Sequence, residues 1–230
     1  MASEPLLLSR IPNFDPGGMI HGRDEHLAAV PSERLTPDAL RQRFQAPPVW
    51  LPEFEREPRR NGRSPVDAAV LIPLVVRDEL TVLLTYRSTH LSSHAGQVAF
   101  PGGKVDAGDA SPAGTALREA QEEVGLAPDF VEVLGTMPPF MTGTGYVITA
   151  VPALVQPGFT LEPNPHEVTE VFETPLRFLM DPAQHRRHRI EHDGQHREWV
   201  SMLYAEPGKE HLIWGATAAM LRNLYRFLSA

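Results

Sequence analysis

Arg118-Glu119-Ala120-Gln121-Glu122-Glu123-Val124-Gly125-Leu126 closes a helical stretch that opens at Ser111. Ser111 suits an N-cap and Pro112 a first helical position, where its missing N–H costs nothing. Ala116, Leu117, Ala120 and Val124 recur on one stripe, and Gly125 supplies the stop. On that helix Glu119, Glu122 and Glu123 stand at i, i+3 and i+4, so all three carboxylates project from one face. Like charges at that spacing repel, and Arg118 is the one basic residue in the segment. A hard divalent cation, which takes several oxygen ligands, would relieve the repulsion. An ordinary solvated acidic face would show the same spacing. Upstream, Val98-Ala99-Phe100 reads as a short strand running into Pro101-Gly102-Gly103. The glycine pair lets the backbone pass close to a ligand and offers a carbonyl oxygen.

Further out, Ala68 to Val76 is a continuous apolar run that reads as a buried strand. Arg77-Asp78-Glu79 is a polar turn, and Leu80 to Tyr86 returns as a second strand. Pro73 favours an edge or a bulge for the first of these. Val131–Thr136 and Tyr146–Val155 read as strands, and Thr217–Leu228 as a terminal helix with Met220, Leu221, Leu224 and Leu228 inward. Strands interleaved with two helices give a mixed α/β sandwich. Residues 1–65 are rich in proline and charge and form an N-terminal extension, expected to lie against the core and to be dispensable for chemistry. It carries one short helix, with Thr36 as cap, Pro37 at its first position, and Leu40 and Phe44 on a shared face.

Composition narrows the function. The chain has 230 residues, no cysteine and a net charge of -8. Disulfides, thiolate catalysis and cysteine-based zinc sites are excluded, and the acidic balance argues against a general nucleic-acid binder. No run of about 18 apolar residues occurs, so no membrane span is expected. The start lacks a basic region with a long apolar core, so no secretory leader is expected and the cytoplasm is the default location.

Strand, glycine-rich loop and acidic helix together resemble the Nudix box, here Gly102 to Leu126. The resemblance implies a Nudix domain over residues 66–230 with an α/β/α sandwich around a mixed sheet. It implies Mg²⁺ or Mn²⁺ held by Glu119, Glu122, Glu123 and the Gly103 carbonyl, with Arg118 orienting the glutamates. The loop departs from the family pattern: a glutamate is usual seven residues before the arginine, where Ala110 stands, and the nearest acid is Asp109. The preceding stretch, Leu83 to Gly103, contains Leu-Leu-Thr, Arg-Ser-x-x-Leu and His-x-Gly-Gln-Val-x-Phe-Pro-Gly-Gly elements. These resemble the signature of coenzyme A diphosphatases, as do Thr144-Gly145-Tyr146, Asn164–Val168 and Ile213–Ala218. Ser92 replaces a basic residue common in that group.

The resemblance implies that coenzyme A or acyl-coenzyme A is cut at its diphosphate. Arg87 and His94, on the loop before the glycine turn, are candidate phosphate ligands, while Gly96 and Gln97 shape that loop. ADP-ribose, dinucleoside polyphosphates and NADH are competing substrates, and a non-catalytic binding module is a further reading against which all three helix glutamates speak. The histidines at 185, 188, 192 and 196, set among alternating charges, are expected on a solvated hairpin. Trp214 is expected in the core, and Glu167 and Glu170 are weaker candidates for a base. The expected partner is a small molecule, coenzyme A or acyl-coenzyme A, with no nucleic acid or membrane, and a homodimer is compatible with the chain.

Overall fold

Val66–Val75 presents apolar side chains to both faces, so both faces must be covered. The computed structural model, which describes residues 14–57, 64–91, 94–192 and 195–230, shows how. In chain order the elements are β1 (Ile20–Arg23), α1 (Pro37–Gln45), β2 (Val66–Val75), β3 (Thr81–Arg87), β4 (Val98–Ala99), β5 (Gly102–Lys104), α2 (Pro112–Val124), β6 (Val131–Val133), β7 (Phe140–Met141), β8 (Tyr146–Val155), β9 (Val168–Pro175), α3 (Leu176–Leu179), β10 (His185–His192), β11 (Gln195–Glu206), β12 (Lys209–Trp214) and α4 (Gly215–Ser229). Ala69, Leu71 and Val75 face α2 and pack on Ala116, Ala120 and Val124. Val70, Ile72 and Leu74 face the other way, into a larger core with Met202, Ile213, Leu221 and Leu224.

The main sheet runs β4-β3-β2-β8-β6, with β5 also on β2, β7 on β8 and β9 on β3. It is mixed: β2 and β8 pair in parallel from Val66↔Tyr146 to Val75↔Val155, whereas the other pairs are antiparallel. Helices flank it, giving the α/β/α arrangement. A second, antiparallel sheet, β1-β10-β11-β12, joins α4 on the face away from α2.

β2 is an interior strand, so the edge position expected from Pro73 is corrected. Val66 and Val76 donate to Gly145 and Val155 on the β8 side, and Leu71 donates to Pro101 on the other. By alternation the Pro73 nitrogen faces that second side. There it falls between the β5 ladder, which ends at Val70, and the β3 ladder, which begins at Leu74. Proline is tolerated because no ladder asks for its missing donor.

Among the described residues four α-helices form, the three expected and the short α3. Both the short N-terminal helix and α2 take the predicted caps: Ala39 N donates to Thr36 Oγ1 and Gly114 N to Ser111 Oγ. The described part of the N-terminal extension is built into the molecule. β1 pairs with β10, and Asp24 and Glu53 meet Arg187 and the fully buried Arg222 of α4. A truncation that removes β1 and Asp24 therefore strips a partner from a buried charge.

The hairpin expected near residues 185–196 exists as β10 and β11, but its solvated character is corrected. His185 and His188 are buried. His185 Nε2 bonds the Leu179 carbonyl, and Arg222 Nη1 lies 2.9 Å from His185 Nδ1. His188 bonds Gly18 O and Ser201 Oγ and stacks on Trp199. The two histidines lie on opposite faces of β10, three residues apart, and each face is covered: His185 by Arg222 and Tyr225 of α4, His188 by Trp199. Trp214 is half-buried beside Phe14. No described helix is long and apolar enough to cross a membrane.

Candidate active site

The acidic helix meets the glycine turn face to face. Gly102 and Gly103 form the start of β5, paired with Val70 and Ala69 of β2. A Cβ on Gly103 would lie 2.5 Å from the Glu119 carboxylate, and one on Gly102 would lie 2.4 Å from the Ala69 carbonyl oxygen. The backbone of the neighbouring strand leaves no room for a side chain at Gly102, and a side chain at Gly103 would push the Glu119 carboxylate aside. Gly102 N also donates to Glu123 Oε2 at 3.1 Å. The turn therefore seats two of the three glutamates.

Arg118 organises the third. Its Nη1 lies 2.9 Å from Glu119 Oε1 and donates to Glu122 Oε2 at 3.0 Å. Its Nε and Nη2 grip Asp109 at 3.1 and 3.0 Å, and Nη2 also donates to the Lys104 carbonyl. Asp109 in turn accepts from Thr115 Oγ1 and from the Asp106 amide. These bonds, Arg118 first, hold the Asp109 carboxyl far below the usual range, and Asp109 raises Arg118 in return. The departure in the loop thus leaves an acid on the arginine: the extra residue lets Asp109 reach it. Sequence spacing gave Asp109 little weight; a Thr one helical turn into α2 and an Arg on the same face were the available signals.

Glu123 is 4% exposed. Burial pushes its carboxyl up to about 7, with Glu167 and Glu119 adding to the rise and the Gly102 amide and Arg87 opposing it. Burial also raises Glu119, Arg118 opposing and Glu122 and Glu167 reinforcing. Glu167 therefore belongs to the same electrostatic cluster. Its backbone is fixed there by two bonds: Ser88 N donates to Glu167 O, and Glu167 N donates to Asn164 O, while Asn164 N reaches the Glu123 carbonyl. Glu170 faces elsewhere, paired with Lys209.

Arg87, at the end of β3, points to the α2 side, with Nη1 3.8 Å from Glu123 Oε1. A bulge in the β3–β9 ladder, where Tyr86 pairs Glu170 and Arg87 pairs Val168, sits at this residue; bulges re-aim side chains. His94 does not join the cluster. Its backbone is left-handed, with φ 56°, and its Nδ1 bonds Gln97 Oε1 within the loop. Gln97 O accepts from Arg87 N, so Gln97 does shape the loop. Ser92 lies outside the described residues.

The donor chemistry suits a hard divalent cation: every side-chain donor is a carboxylate, and each raises its neighbour's affinity for a positive charge. Among the described residues no three acids or histidines stand as a closed cage, and Arg118 Nη1 contacts both Glu119 and Glu122.

The model of the NUDIX domain matches residues 65–208. The chain is 42% identical over 191 residues to "Uncharacterized Nudix hydrolase NudL" of Escherichia coli (strain K12), covering 83% of this chain and 93% of that protein. The protein of the same name from Shigella flexneri gives the same figures. Among solved structures, a MutT/nudix family protein from Enterococcus faecalis aligns over 84% of this chain and 75% of its own, with TM-score 0.46 and 21% identity. With the acidic helix seated on its glycine turn and the family model spanning more than half of the sequence, the chain belongs to the Nudix hydrolase family.

Proposed function

We propose that this Nudix hydrolase cleaves the diphosphate of coenzyme A or its acyl derivatives, giving 3',5'-ADP and 4'-phosphopantetheine or its acyl form. The observation that carries the reading is the delivery of the Leu83–Phe100 loop, with its coenzyme A diphosphatase-like elements, directly onto the acidic helix: Arg87 of that loop stands 3.8 Å from Glu123. Substrate-binding and metal-binding residues thereby share one site.

In this reading Glu119, Glu122 and Glu123, with the Gly103 carbonyl, would hold Mg²⁺ or Mn²⁺. Such an ion would supply positive charge to the diphosphate oxygens and acidify water at the site. The protein supplies the rest. Arg118, anchored on Asp109, fixes the rotamers of Glu119 and Glu122. Arg87 binds phosphoryl oxygens, for which its planar fork is suited. Glu167, poised among the other carboxylates, accepts the proton of the attacking water. His94 sets the turn of the substrate loop and presents an exposed ring to solvent.

Side-by-side turnover of coenzyme A, acetyl-coenzyme A, ADP-ribose, NADH and a dinucleoside tetraphosphate tests the substrate. The expected result is the highest kcat/KM on a coenzyme A species. Far more efficient hydrolysis of ADP-ribose would overturn the substrate assignment while leaving the family intact.

A further inference from the structure

Arg87 is placed to do two incompatible things. Its main chain is held at both ends of the loop, with Arg87 N donating to Gln97 O and Gly96 N donating to Arg87 O. Its side chain, about a quarter exposed, leans from that fixed base onto Glu123. Among the described residues no hydrogen bond holds it there; the contact is an ion pair at 3.8 Å. Arg118 differs. Three of its bonds go to Asp109 and the Lys104 carbonyl, so it stays on the helix whatever its Nη1 touches. Two guanidinium groups thus neutralise the glutamate face in this structure, one tethered and one loose.

We propose that Arg87 is an exchangeable counter-cation of Glu123: a divalent ion arriving at Glu123 displaces it, and the freed guanidinium swings to the substrate's phosphoryl oxygens. This rests on the site described under the proposed function and adds an order of events to it. Glu123, buried and short of water, needs a cation close by, and Arg87 is the one its geometry offers until the ion arrives. The two states use one arginine in turn, so ion loading and phosphate recognition become a single linked equilibrium, reciprocal by thermodynamic necessity.

The linkage has an unusual sign for a residue that binds substrate. Removing Arg87 takes away the ion's competitor, so the substrate-free protein gains affinity for the ion even as it loses affinity for substrate. The test is Mn²⁺ binding to the full chain without substrate, followed by electron paramagnetic resonance of free Mn²⁺, for wild type, Arg87→Gln, Arg87→Lys and Glu123→Gln. The exchange predicts that R87Q binds Mn²⁺ about five-fold more tightly, in the range of ordinary coupling energies, while R87K stays near wild type because it keeps the charge. E123Q binds more weakly than wild type. If E123Q is weakened but R87Q matches wild type or binds more weakly, the exchange is overturned and the site stands. If E123Q binds as wild type does, Glu123 is no ligand, and both the metal assignment and the exchange fall. A melting curve for each variant separates misfolding from altered affinity, and Arg87→Met, which also removes the charge and carries the same prediction, keeps the test decisive if R87Q does not fold.

Discussion

Two clusters of charge lie on opposite sides of the main sheet, and they are assembled on opposite principles. Around Arg222 the charges balance: Asp24 and Glu53 face Arg222 and Arg187, and the neutral His185 takes the remaining nitrogen. Asn223 closes the edge by accepting from the amides of Glu53 and Phe54. On α2 the charges do not balance. Glu119, Glu122, Glu123 and Glu167 face Arg118 and Arg87, and Arg118 is largely committed to Asp109. A balanced buried cluster has nothing to offer a ligand. A carboxylate surplus beside a glycine turn suits the cation we propose for it, and the difference separates a charge network that ties the chain together from one with negative charge left over.

The largest expected effect breaks the balanced side. Asp24→Ala leaves Arg222 Nη2 and Arg187 Nε short of their acid, and denaturant unfolding should show a loss of about 3 kcal/mol or more, the range for orphaning one partner of a buried pair. Turnover per folded molecule should stay near wild type.

The α2 side should respond in the reverse way. Glu122→Gln or Glu123→Gln should lower kcat by about 10²-fold or more, as loss of a major electrostatic element does. The metal-free protein should not lose stability. For Glu123 the sign follows from its raised carboxyl: the favourable contribution is complete below about 4.5 and disappears as pH rises through about 7. E123Q should therefore melt higher than wild type above pH 7 without metal, and near wild type at pH 4.5. A lower melting temperature at pH 8 would mean that Glu123 is a structural acid like Asp24.

An intermediate effect belongs to Asp109, which touches no substrate. Asp109→Asn keeps its shape but weakens its hold on Arg118, and kcat should fall about ten-fold through misaligned Glu119 and Glu122, as with other outer partners of metal ligands. Mn²⁺ affinity should change with it, whereas a merely structural loss would lower the melting temperature alone.

The smallest effect is a pH dependence on the balanced side. Burial lowers the His185 pKa from its usual 6.5 to about 4, with Arg222 adding to the drop and the Leu179 carbonyl opposing it. A depressed histidine favours the fold fully above pH 6.5 and less as pH falls toward 4. Wild type should lose about 1 kcal/mol by about pH 5.5 from this group. His185→Gln should flatten that slope in urea titrations.

The two clusters also differ in how far the sequence reveals them. The α2 face was legible because everything that makes it is local: a cap at Ser111, a stop at Gly125, and glutamates at helical spacing. So were β2 and β3, whose apolar runs flank a short polar turn. The balanced cluster was not legible. Asp24, Glu53, Arg187 and Arg222 come from four distant segments, and each alone reads as a surface charge. The second sheet was hidden for the same reason, since strand pairing joins residues as far apart as Ile20 and His188. The burial of His185 and His188 was masked by the arginines between and beside them, because what covers each face of β10 comes from distant segments, Arg222 and Tyr225 over His185 and Gly18 at His188. At the site itself, Asp109 was discounted because a one-residue insertion had shifted it. The contact of Arg87 with Glu123 depends on a bulge that no local pattern announces.

The carboxylate surplus on α2 is proposed to serve the hydrolysis of a coenzyme A diphosphate. Its most direct test is chromatographic identification of the products formed from coenzyme A with Mg²⁺ or Mn²⁺ by wild type and E123Q in parallel. Wild type should give 3',5'-ADP and 4'-phosphopantetheine in equal amounts, and a fully folded E123Q about 10²-fold less of both. Near-normal product formation by E123Q, or no cleavage of coenzyme A by a metal-loaded wild type that turns over ADP-ribose, would contradict it.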